Sequence, residues 1–292
     1  MTVAALVSEA EAALGAAGVP SPDKDAERLL RHVLGWDCAF LLAHPSASVG
    51  PEDEARFRAL VGARARRVPL QHLLGRQAFW KHDFVVTPDV LIPRPETELL
   101  IETALALLRR VERPVIVDVG TGSGCIALSL AFERGDASIH ATDISEAALE
   151  VARENSRLLD LEPRVTFHRG DLLAPVARLA GSVHLVVSNP PYVDPADRDG
   201  LAPEVRDHDP SVALFPPGDL LGLYRRLAGD GCRILCPGGS LAVEVSPTVA
   251  NAVAALLAGS GFGRVAIKRD LAGRPRVVHG RHTGAAGPPA LK

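Results

Sequence analysis

At 292 residues the chain is long enough for two domains, or for one domain with a large appendage. Hydrophobic residues make up 47% of it and its formal net charge is −3, so we expect a substantial buried core and no global basic field that would attract nucleic acid. No apolar run reaches about 18 residues, and the N-terminus lacks a basic segment followed by an apolar core. We therefore expect no membrane span and a cytoplasmic location.

The first 75 residues predict a small helical domain. Three stretches carry apolar residues at helical spacing: "TVAALVSEAEAALGAAG", "DKDAERLLRHVLG" and "PEDEARFRALVGARARR". Pro22 and Pro51, each followed by acidic residues, are typical helix starts. The cluster Arg64, Arg66 and Arg67 is typical of a solvated helix end, with a partner contact as the alternative.

Residues 76–110 predict a β-hairpin and a linker. "FWKHDFVVTPDVLI" mixes aromatic and β-branched residues with polar pairs, which favours two short strands. "PRPETELLIETALALLRR" follows, and Pro95 suits the first turn of a helix there.

Strands and helices alternate through residues 111–282. Seven stretches read as strands: "VIVDVG", "SIHATD", "RVTFHRGD", "HLVVSN", "SLAVEV", "RVAIKRD" and "RPRVVHG". Helices fit between most of them, but only a turn joins the last two, so the final strand is expected to run antiparallel. This pattern predicts an α/β fold with a seven-stranded sheet. A sheet that closes with one antiparallel strand resembles that of Rossmann-like methyltransferases, a likeness of fold that does not by itself give function. Residues 283–292 are expected to be a disordered tail.

The four cysteines, Cys38, Cys125, Cys232 and Cys236, lie in apolar surroundings. Cys232 and Cys236 are four residues apart, but the other two provide no matching pair for a zinc site or a disulfide framework. We expect buried free thiols in a reducing compartment and no metal site.

A glycine loop joins the first strand of this region to a helix in "VIVDVGTGSGCIALSL". Gly120, Gly122 and Gly124 allow a tight turn and a close approach of backbone to ligand. A dinucleotide fingerprint would need a glycine at position 125, which is Cys. A phosphate-binding loop would need Lys-Ser or Lys-Thr after the last glycine, and neither is present. Asp118, just before the loop, disfavours a phosphate further.

Two acidic residues at strand ends indicate what the loop binds. Asp143 ends the second strand, where a carboxylate in a doubly wound sheet reaches the hydroxyls of a ribose. Asp171 ends the third strand and suits an adenine amino group. Together they favour an adenosyl ligand without phosphates, a description that S-adenosylmethionine meets. The alternative for Asp143 is an N-cap of the following helix.

The motif "SNPPYVDP" follows the fourth strand, whose carboxyl end opens onto the same crevice. Asn189 and the Pro190 carbonyl could accept both N–H groups of a planar amide or an exocyclic amine, aiming its nitrogen at a methyl donor. Tyr192 supplies a face for the planar group. A tight turn without further role is the alternative.

These motifs resemble the peptide chain release factor glutamine methyltransferase (HemK/PrmC) family. The resemblance rests on "RRVPLQHLLG", Phe79-Trp80, "VLIPRPETELL", "DVGTGSGCIAL", "SNPPYV" and "RDLAGRPRVV", which lie within residues 66–278. "LIPRPETE" distinguishes this family best, because DNA adenine methyltransferases share the Asn-Pro-Pro-Tyr motif but not this segment. We expect it to lie over the cofactor. His72 departs from the Tyr common in the family, and Leu172 from a larger aromatic residue.

The resemblance implies methylation of the glutamine side-chain nitrogen in the Gly-Gly-Gln loop of class 1 release factors. It implies that S-adenosylmethionine is held by Gly120, Thr121, Gly122, Ser123, Gly124, Asp143, Asp171, Leu172 and Asn189. It also implies that the glutamine amide is held by Asn189, Pro190, Pro191 and Tyr192.

Three alternatives stay open. The first is an adenine amino-group methyltransferase, which predicts a basic groove with aromatic residues, yet the chain has only two Trp and two Tyr. The second methylates a glutamine of a ribosomal protein. The third is a non-catalytic adenosyl-binding module.

Because a Gly-Gly-Gln loop offers few side chains, we expect the helical domain to dock the body of the release factor.

Overall fold

The computed structural model describes residues 1–284, and the predicted disordered tail lies almost wholly outside this range. The chain divides into two compact units. One comprises Met1–Arg76 together with Leu201–His208, and the other comprises Gln77–Gly200 and the chain from Asp209 onward. Within residues 1–284 no helix is both long and apolar enough to cross a membrane.

The first unit is helical, as the sequence predicts. Its helices are α1 (Val3–Ala16), α2 (Pro22–Leu34), α3 (Cys38–Ala43), α4 (Pro51–Ala65), α5 (Leu70–Leu74) and α9 (Pro203–His208). Leu6, Leu14, Leu29, Leu30 and Phe57 form the centre of its core, each at most 1% exposed. The sequence does not predict α3 and α5, because helices of five or six residues are too short to show a period.

Glu204 of α9 joins the helical unit through two arginines. It accepts hydrogen bonds from Arg67 Nε and Nη2 at 2.7 Å each, and Arg64 Nη1 lies 2.9 Å from its carboxylate. Arg64 also donates to Asp25 at 2.8 Å and is only 5% exposed. The expectation of a solvated helix end is therefore wrong for Arg64, because two carboxylates compensate its burial.

The second unit contains a hairpin and a seven-stranded sheet. The hairpin strands are β1 (Arg76–Phe79) and β2 (His82–Val85). The sheet strands are β3 (Val115–Val119), β4 (Ser138–Asp143), β5 (Val165–Arg169), β6 (Val183–Ser188), β7 (Leu235–Glu244), β8 (Phe262–Arg269) and β9 (Pro275–His282). Their order is β5-β4-β3-β6-β7-β9-β8, and β9 pairs antiparallel with both β7 and β8. The predicted fold class is confirmed, including the antiparallel last strand.

The remaining helices are α6 (Glu98–Leu108), α7 (Cys125–Glu133), α8 (Glu146–Leu158), α10 (Ser211–Leu214), α11 (Gly222–Ile234) and α12 (Ala250–Gly259). They cover the two faces of the sheet, which explains why the central strands are almost continuously apolar. The four cysteines are free, but only Cys125 is buried. The expectation of buried thiols is wrong for Cys38, which is exposed, and for Cys232 and Cys236, which are half-buried.

Candidate functional site

A cleft opens at the carboxyl ends of β3, β4 and β6, where the parallel strands reverse their order. It encloses about 1150 Å³, counting the part open to solvent, which is ample for a small-molecule ligand. Nine of the predicted site residues line it: Gly120, Thr121, Gly122, Ser123, Asp143, Asp171, Leu172, Asn189 and Pro191. Gly124, Pro190 and Tyr192 do not line it.

The glycine loop turns sharply at the end of β3. The backbone N–H groups of Gly120 and Thr121 both donate to the carbonyl of Thr142, at 2.9 and 3.0 Å. Gly120 and Gly122 have φ angles of +71° and +54°, a region that disfavours residues with a Cβ. Gly124 also has a positive φ, of +82°, and a Cβ there would in addition lie 3.2 Å from the Cβ of Ala152.

Asp143 connects the loop to the next strand and helix. Its Oδ2 accepts the N–H of Gly122 and its Oδ1 accepts the N–H of Ser145, both at 2.9 Å. Burial raises the pKa of this carboxyl group, although the two backbone donors oppose the effect. The N-cap alternative for Asp143 is wrong, because Ser145 caps α8 by accepting the N–H of Ala148.

Asp118 lies beneath the loop and is fully buried. Its Oδ2 accepts the Thr121 hydroxyl at 2.6 Å and the N–H of Ala127 at 3.2 Å, so it ties the loop to the start of α7. Burial raises its pKa to about 7. Its Oδ1 has no hydrogen-bond partner within the described residues. A buried acceptor of this kind beneath the loop favours a cationic or neutral ligand over an anionic one.

Asp171 and Leu172 border the cleft after β5. Asp171 is about half exposed and forms an ion pair with Arg226 of α11, which also lines the cleft. Leu172 has a φ of +48°, an uncommon conformation for a residue with a branched side chain. The sequence provides no signal for Arg226, which lies in an ordinary amphipathic helix far along the chain.

The Asn-Pro-Pro-Tyr motif lies where β6 ends. Asn189 Nδ2 donates to the Thr97 hydroxyl at 3.2 Å. The Tyr192 hydroxyl donates to Oε1 of Glu244 at 3.2 Å, and burial raises the pKa of this phenol. Pro190 is buried. Sequence reasoning missed Thr97 and Glu244. A carboxylate at the end of the otherwise apolar strand "SLAVEV" was an available signal for Glu244.

The segment "LIPRPETE" borders the same cleft through Leu91, Pro93, Arg94 and Thr97. Arg94 forms an ion pair of 2.6 Å with Asp209, whose side chain is fully buried. This ion pair therefore holds the segment against the stretch of chain that follows the Asn-Pro-Pro-Tyr motif. A proline-led helix start alone leaves Arg94 and Glu96 unexplained. Both form ion pairs, Arg94 with Asp209 and Glu96 with Arg276 at 3.6 Å.

The cleft residues fit an adenosyl sulfonium ligand better than a nucleotide. The loop is open above Gly120 and Gly122, with nothing within 4 Å of where a Cβ would stand. Asp143 brings a carboxylate to the same wall, and Asp118 leaves one acceptor unsatisfied beneath it. Two carboxylates near one loop would repel a pyrophosphate and tolerate a positive charge.

Two family models match the chain. The PrmC N-terminal domain matches residues 5–75, and the methyltransferase small domain matches residues 95–211. Among solved structures, the hMettl16 catalytic domain in complex with MAT2A 3′UTR hairpin 6 has a TM-score of 0.57 over 78% of this chain and 84% of that chain. At 16% identity, that likeness concerns the fold alone.

Curated relatives extend over nearly the whole chain. The release factor glutamine methyltransferase of Deinococcus radiodurans is 44% identical over 96% of this chain and 98% of its own length. The protein of the same name from Mycolicibacterium smegmatis is 44% identical over 93% of this chain and 95% of its own. At this identity and coverage, the chain belongs to the release factor glutamine methyltransferase family.

Proposed function

We propose that this protein transfers the methyl group of S-adenosylmethionine to the side-chain amide nitrogen of the glutamine in the Gly-Gly-Gln loop of class 1 release factors. The observation that carries the proposal is the placement of Asn189 and the glycine loop on one cleft, in a chain of this family. The donor supplies an electrophilic methyl group on a sulfonium.

Binding of the donor is assigned to the loop from Gly120 to Gly124 and to the strand-end acids. Each carboxylate oxygen of Asp143 accepts a hydrogen bond from one backbone N–H group. The remaining lone pairs of this carboxylate are therefore available to ribose hydroxyls. Asp171 and Leu172 border the region expected to hold adenine. Thr121 and Ser123 shape the loop between these groups.

The glutamine amide is assigned to the Asn-Pro-Pro-Tyr motif. An amide nitrogen is a weak nucleophile because its lone pair is delocalised into the carbonyl. The Asn189 oxygen and the Pro190 carbonyl would accept its two N–H groups and stabilise positive charge as it develops on nitrogen. Pro191 stiffens the backbone, and the ring of Tyr192 is expected to pack on the amide plane.

The helical unit is assigned to recognition of the release factor body. Apolar residues, including Val3, Val7 and Leu42, line a hollow there together with the acidic residues Glu11, Asp23 and Glu27. Leu42 is 67% exposed and lines this hollow, so its side chain is accessible to a partner. A lining of apolar and acidic side chains fits a partner segment that presents apolar and basic side chains.

Mass spectrometry tests the proposed reaction. Release factors incubated with the enzyme and S-adenosylmethionine should gain one methyl group, on the peptide that carries Gly-Gly-Gln. Ribosomal proteins and an adenine-containing oligonucleotide, treated in the same way, represent the alternative substrates. Methylation of one of these, with none on the release factor, would replace the proposed substrate.

A further inference from the structure

Arg94 and Arg226 are the two cationic residues that line the cleft within the described residues 1–284. The other charged residues of this lining are three aspartates, Asp89, Asp143 and Asp171. The positive groups of S-adenosylmethionine are compatible with the aspartates, but its α-carboxylate needs hydrogen-bond donors or a cation. The residues proposed to hold the ribose, the adenine and the glutamine amide serve other groups, so the carboxylate requires a partner of its own.

The glycine loop has few backbone donors left for an anion. The N–H groups of Gly120 and Thr121 donate to one carbonyl of β4. The N–H of Gly122 donates to the carboxylate at the end of β4, and that of Gly124 donates back to the carbonyl of Thr121 at 2.8 Å. Four of the five N–H groups in residues 120–124 are thus engaged. Carboxylates are also bound well by arginine, whose N–H groups match their geometry, so an arginine of the cleft is the stronger candidate.

Arg94 combines a fixed position with unused donors. Its Nη2 donates to Asp209 at 2.6 Å, and the Asp209 side chain is fully buried. Because a guanidinium carries several N–H donors and no acceptor, this contact leaves most of its hydrogen-bonding capacity. Among the described residues the Arg94 guanidinium forms no other hydrogen bond, and 35% of its side chain is exposed. Arg94 is therefore held at the cleft wall with donors available to a ligand.

Arg94 lies at the same end of the cleft as Asn189. The carbonyl of Arg94 accepts the backbone N–H of Thr97 at 3.0 Å, and the Thr97 hydroxyl accepts from Asn189 Nδ2 at 3.2 Å. Arg226 instead forms its ion pair with Asp171, at the end expected to hold adenine. In S-adenosylmethionine the methyl group and the chain that carries the carboxylate leave the same sulfur atom. With the methyl group directed to Asn189, we therefore expect the carboxylate on the side of Arg94.

We infer that Arg94 binds the α-carboxylate of S-adenosylmethionine, through the donors that its ion pair with Asp209 leaves free. The inference rests on the proposed function for the identity of the ligand. One guanidinium can serve two carboxylates, because its N–H groups point outward along different edges of a plane. The contact with the buried Asp209 carboxylate also restricts this long side chain in advance, so less conformational entropy is lost when the ligand binds.

Isothermal calorimetry with S-adenosylmethionine and its decarboxylated analogue tests the inference, because the two compounds differ only in the carboxylate. The wild-type protein should bind S-adenosylmethionine about tenfold to a hundredfold more tightly than the analogue, the scale of hydrogen bonds to a charged group. In Arg94→Gln this preference should fall below about threefold, while the affinity for the analogue stays within about twofold of wild type. Arg233→Gln, at an ion-paired arginine of α11 outside the cleft lining, is the matched control.

A second set of variants separates ligand binding from folding, because Arg94→Gln removes the arginine that faces a buried carboxylate. Asp209→Asn keeps Arg94 and should keep most of the preference for the carboxylate. The double variant Arg94→Gln/Asp209→Asn removes both charges and should lose the preference, and thermal unfolding compares the stability of all variants. If Asp209→Asn and Arg94→Gln weaken both compounds equally, Arg94 has only a structural role and the inference is overturned. An unchanged preference in Arg94→Gln would overturn it as well.

The comparison of the two compounds on the wild-type protein needs neither a variant nor a release factor. Equal affinity for both compounds would overturn the inference and leave the proposed donor in place. Binding of neither compound would overturn the proposed donor, and the inference with it. The two failures are therefore distinguishable in one experiment.

Discussion

Asp143, at the end of β4, accepts a hydrogen bond from the backbone N–H of Gly122 in the glycine loop, with 2.9 Å between the carboxylate oxygen and the backbone nitrogen. The same carboxylate accepts the N–H of Ser145 at the start of α8. The acid therefore shapes the loop as well as presenting lone pairs to the cleft. Because Asp143 has both roles, it is the most informative position for testing cofactor binding.

Asp143→Ala should weaken the binding of S-adenosylmethionine by about 1.5–3 kcal/mol, the scale of hydrogen bonds to a charged group. Asp143→Asn should lose less, because its amide oxygen can still accept one N–H. Isothermal calorimetry measures both, and Glu150→Ala, exposed on α8, is the control. Equal affinities in Asp143→Ala and the control would remove Asp143 from the cofactor site.

Asn189→Ala should leave the affinity for S-adenosylmethionine largely intact but lower turnover by roughly a hundredfold or more, since a preorganised acceptor is lost. Asn189→Asp keeps an acceptor and adds charge, which separates hydrogen bonding from amide geometry. Single-turnover methylation of a release factor provides the rate. Normal methylation by Asn189→Ala would exclude the residue from the mechanism.

Asn155 joins the hairpin to the glycine loop and should govern stability. Its side chain exchanges hydrogen bonds with the backbone N–H and carbonyl of Val85, at 2.7 and 3.0 Å, and donates to the carbonyl of Ser123 at 2.9 Å. Asn155→Ala should lower the free energy of unfolding by about 2–4 kcal/mol, because buried backbone groups lose their partners. Denaturant unfolding measures this change. The neighbouring exposed Glu154→Ala should stay close to wild type, and equal losses in both variants would contradict the role.

Glu204 should make the stability of the helical unit dependent on pH. Burial alone would raise its pKa, but hydrogen bonds from Arg67 and Arg64 lower it to about 2, below the ordinary 4.5. A pKa that is depressed in the folded state stabilises the fold above the ordinary value and loses that contribution as the pH falls toward the folded value. The window is therefore about pH 4.5 down to 2.

The difference in unfolding free energy between wild type and Glu204→Gln should be on the order of 2–3 kcal/mol at pH 6 and should shrink below about pH 4.5. Urea unfolding at several pH values measures it. Glu11→Gln, at an exposed site in the same unit, should show no comparable difference. A gap between wild type and Glu204→Gln that is independent of pH would contradict the ion-pair account.

The docking role of the helical unit is best tested by surface substitution. Deleting residues 1–75 would remove Arg64 and Arg67, the two partners of Glu204. A truncated chain would therefore report on folding as well as on docking. Leu42→Ser should lower kcat/KM on a full-length release factor by about threefold to thirtyfold, equivalent to about 0.7–2 kcal/mol, without changing the affinity for S-adenosylmethionine. Leu158→Ser, at an exposed site of the second unit, is the control. Equal effects of the two substitutions would refute the assigned surface.

Local patterns in the sequence were enough to predict the seven strands, the antiparallel last strand, the glycine loop and the Asn-Pro-Pro-Tyr turn. Strand alternation, glycine conformation and proline geometry are properties of residues close together in the chain, so their signals can be read without the fold. The acids at the ends of β4 and β5 followed from the same logic, because parallel strands bring their carboxyl ends to one edge.

Contacts between distant residues were decided only by the tertiary structure. Arg67 and Glu204 are 137 positions apart, and Thr97 and Asn189 are 92 apart. No periodicity connects such pairs, since each side chain finds its partner only after the strands and helices have packed. The same holds for Glu244 behind the motif and for Arg226 beside Asp171. The sequence alone therefore determined which groups could do the chemistry, and packing decided which residues hold those groups in place.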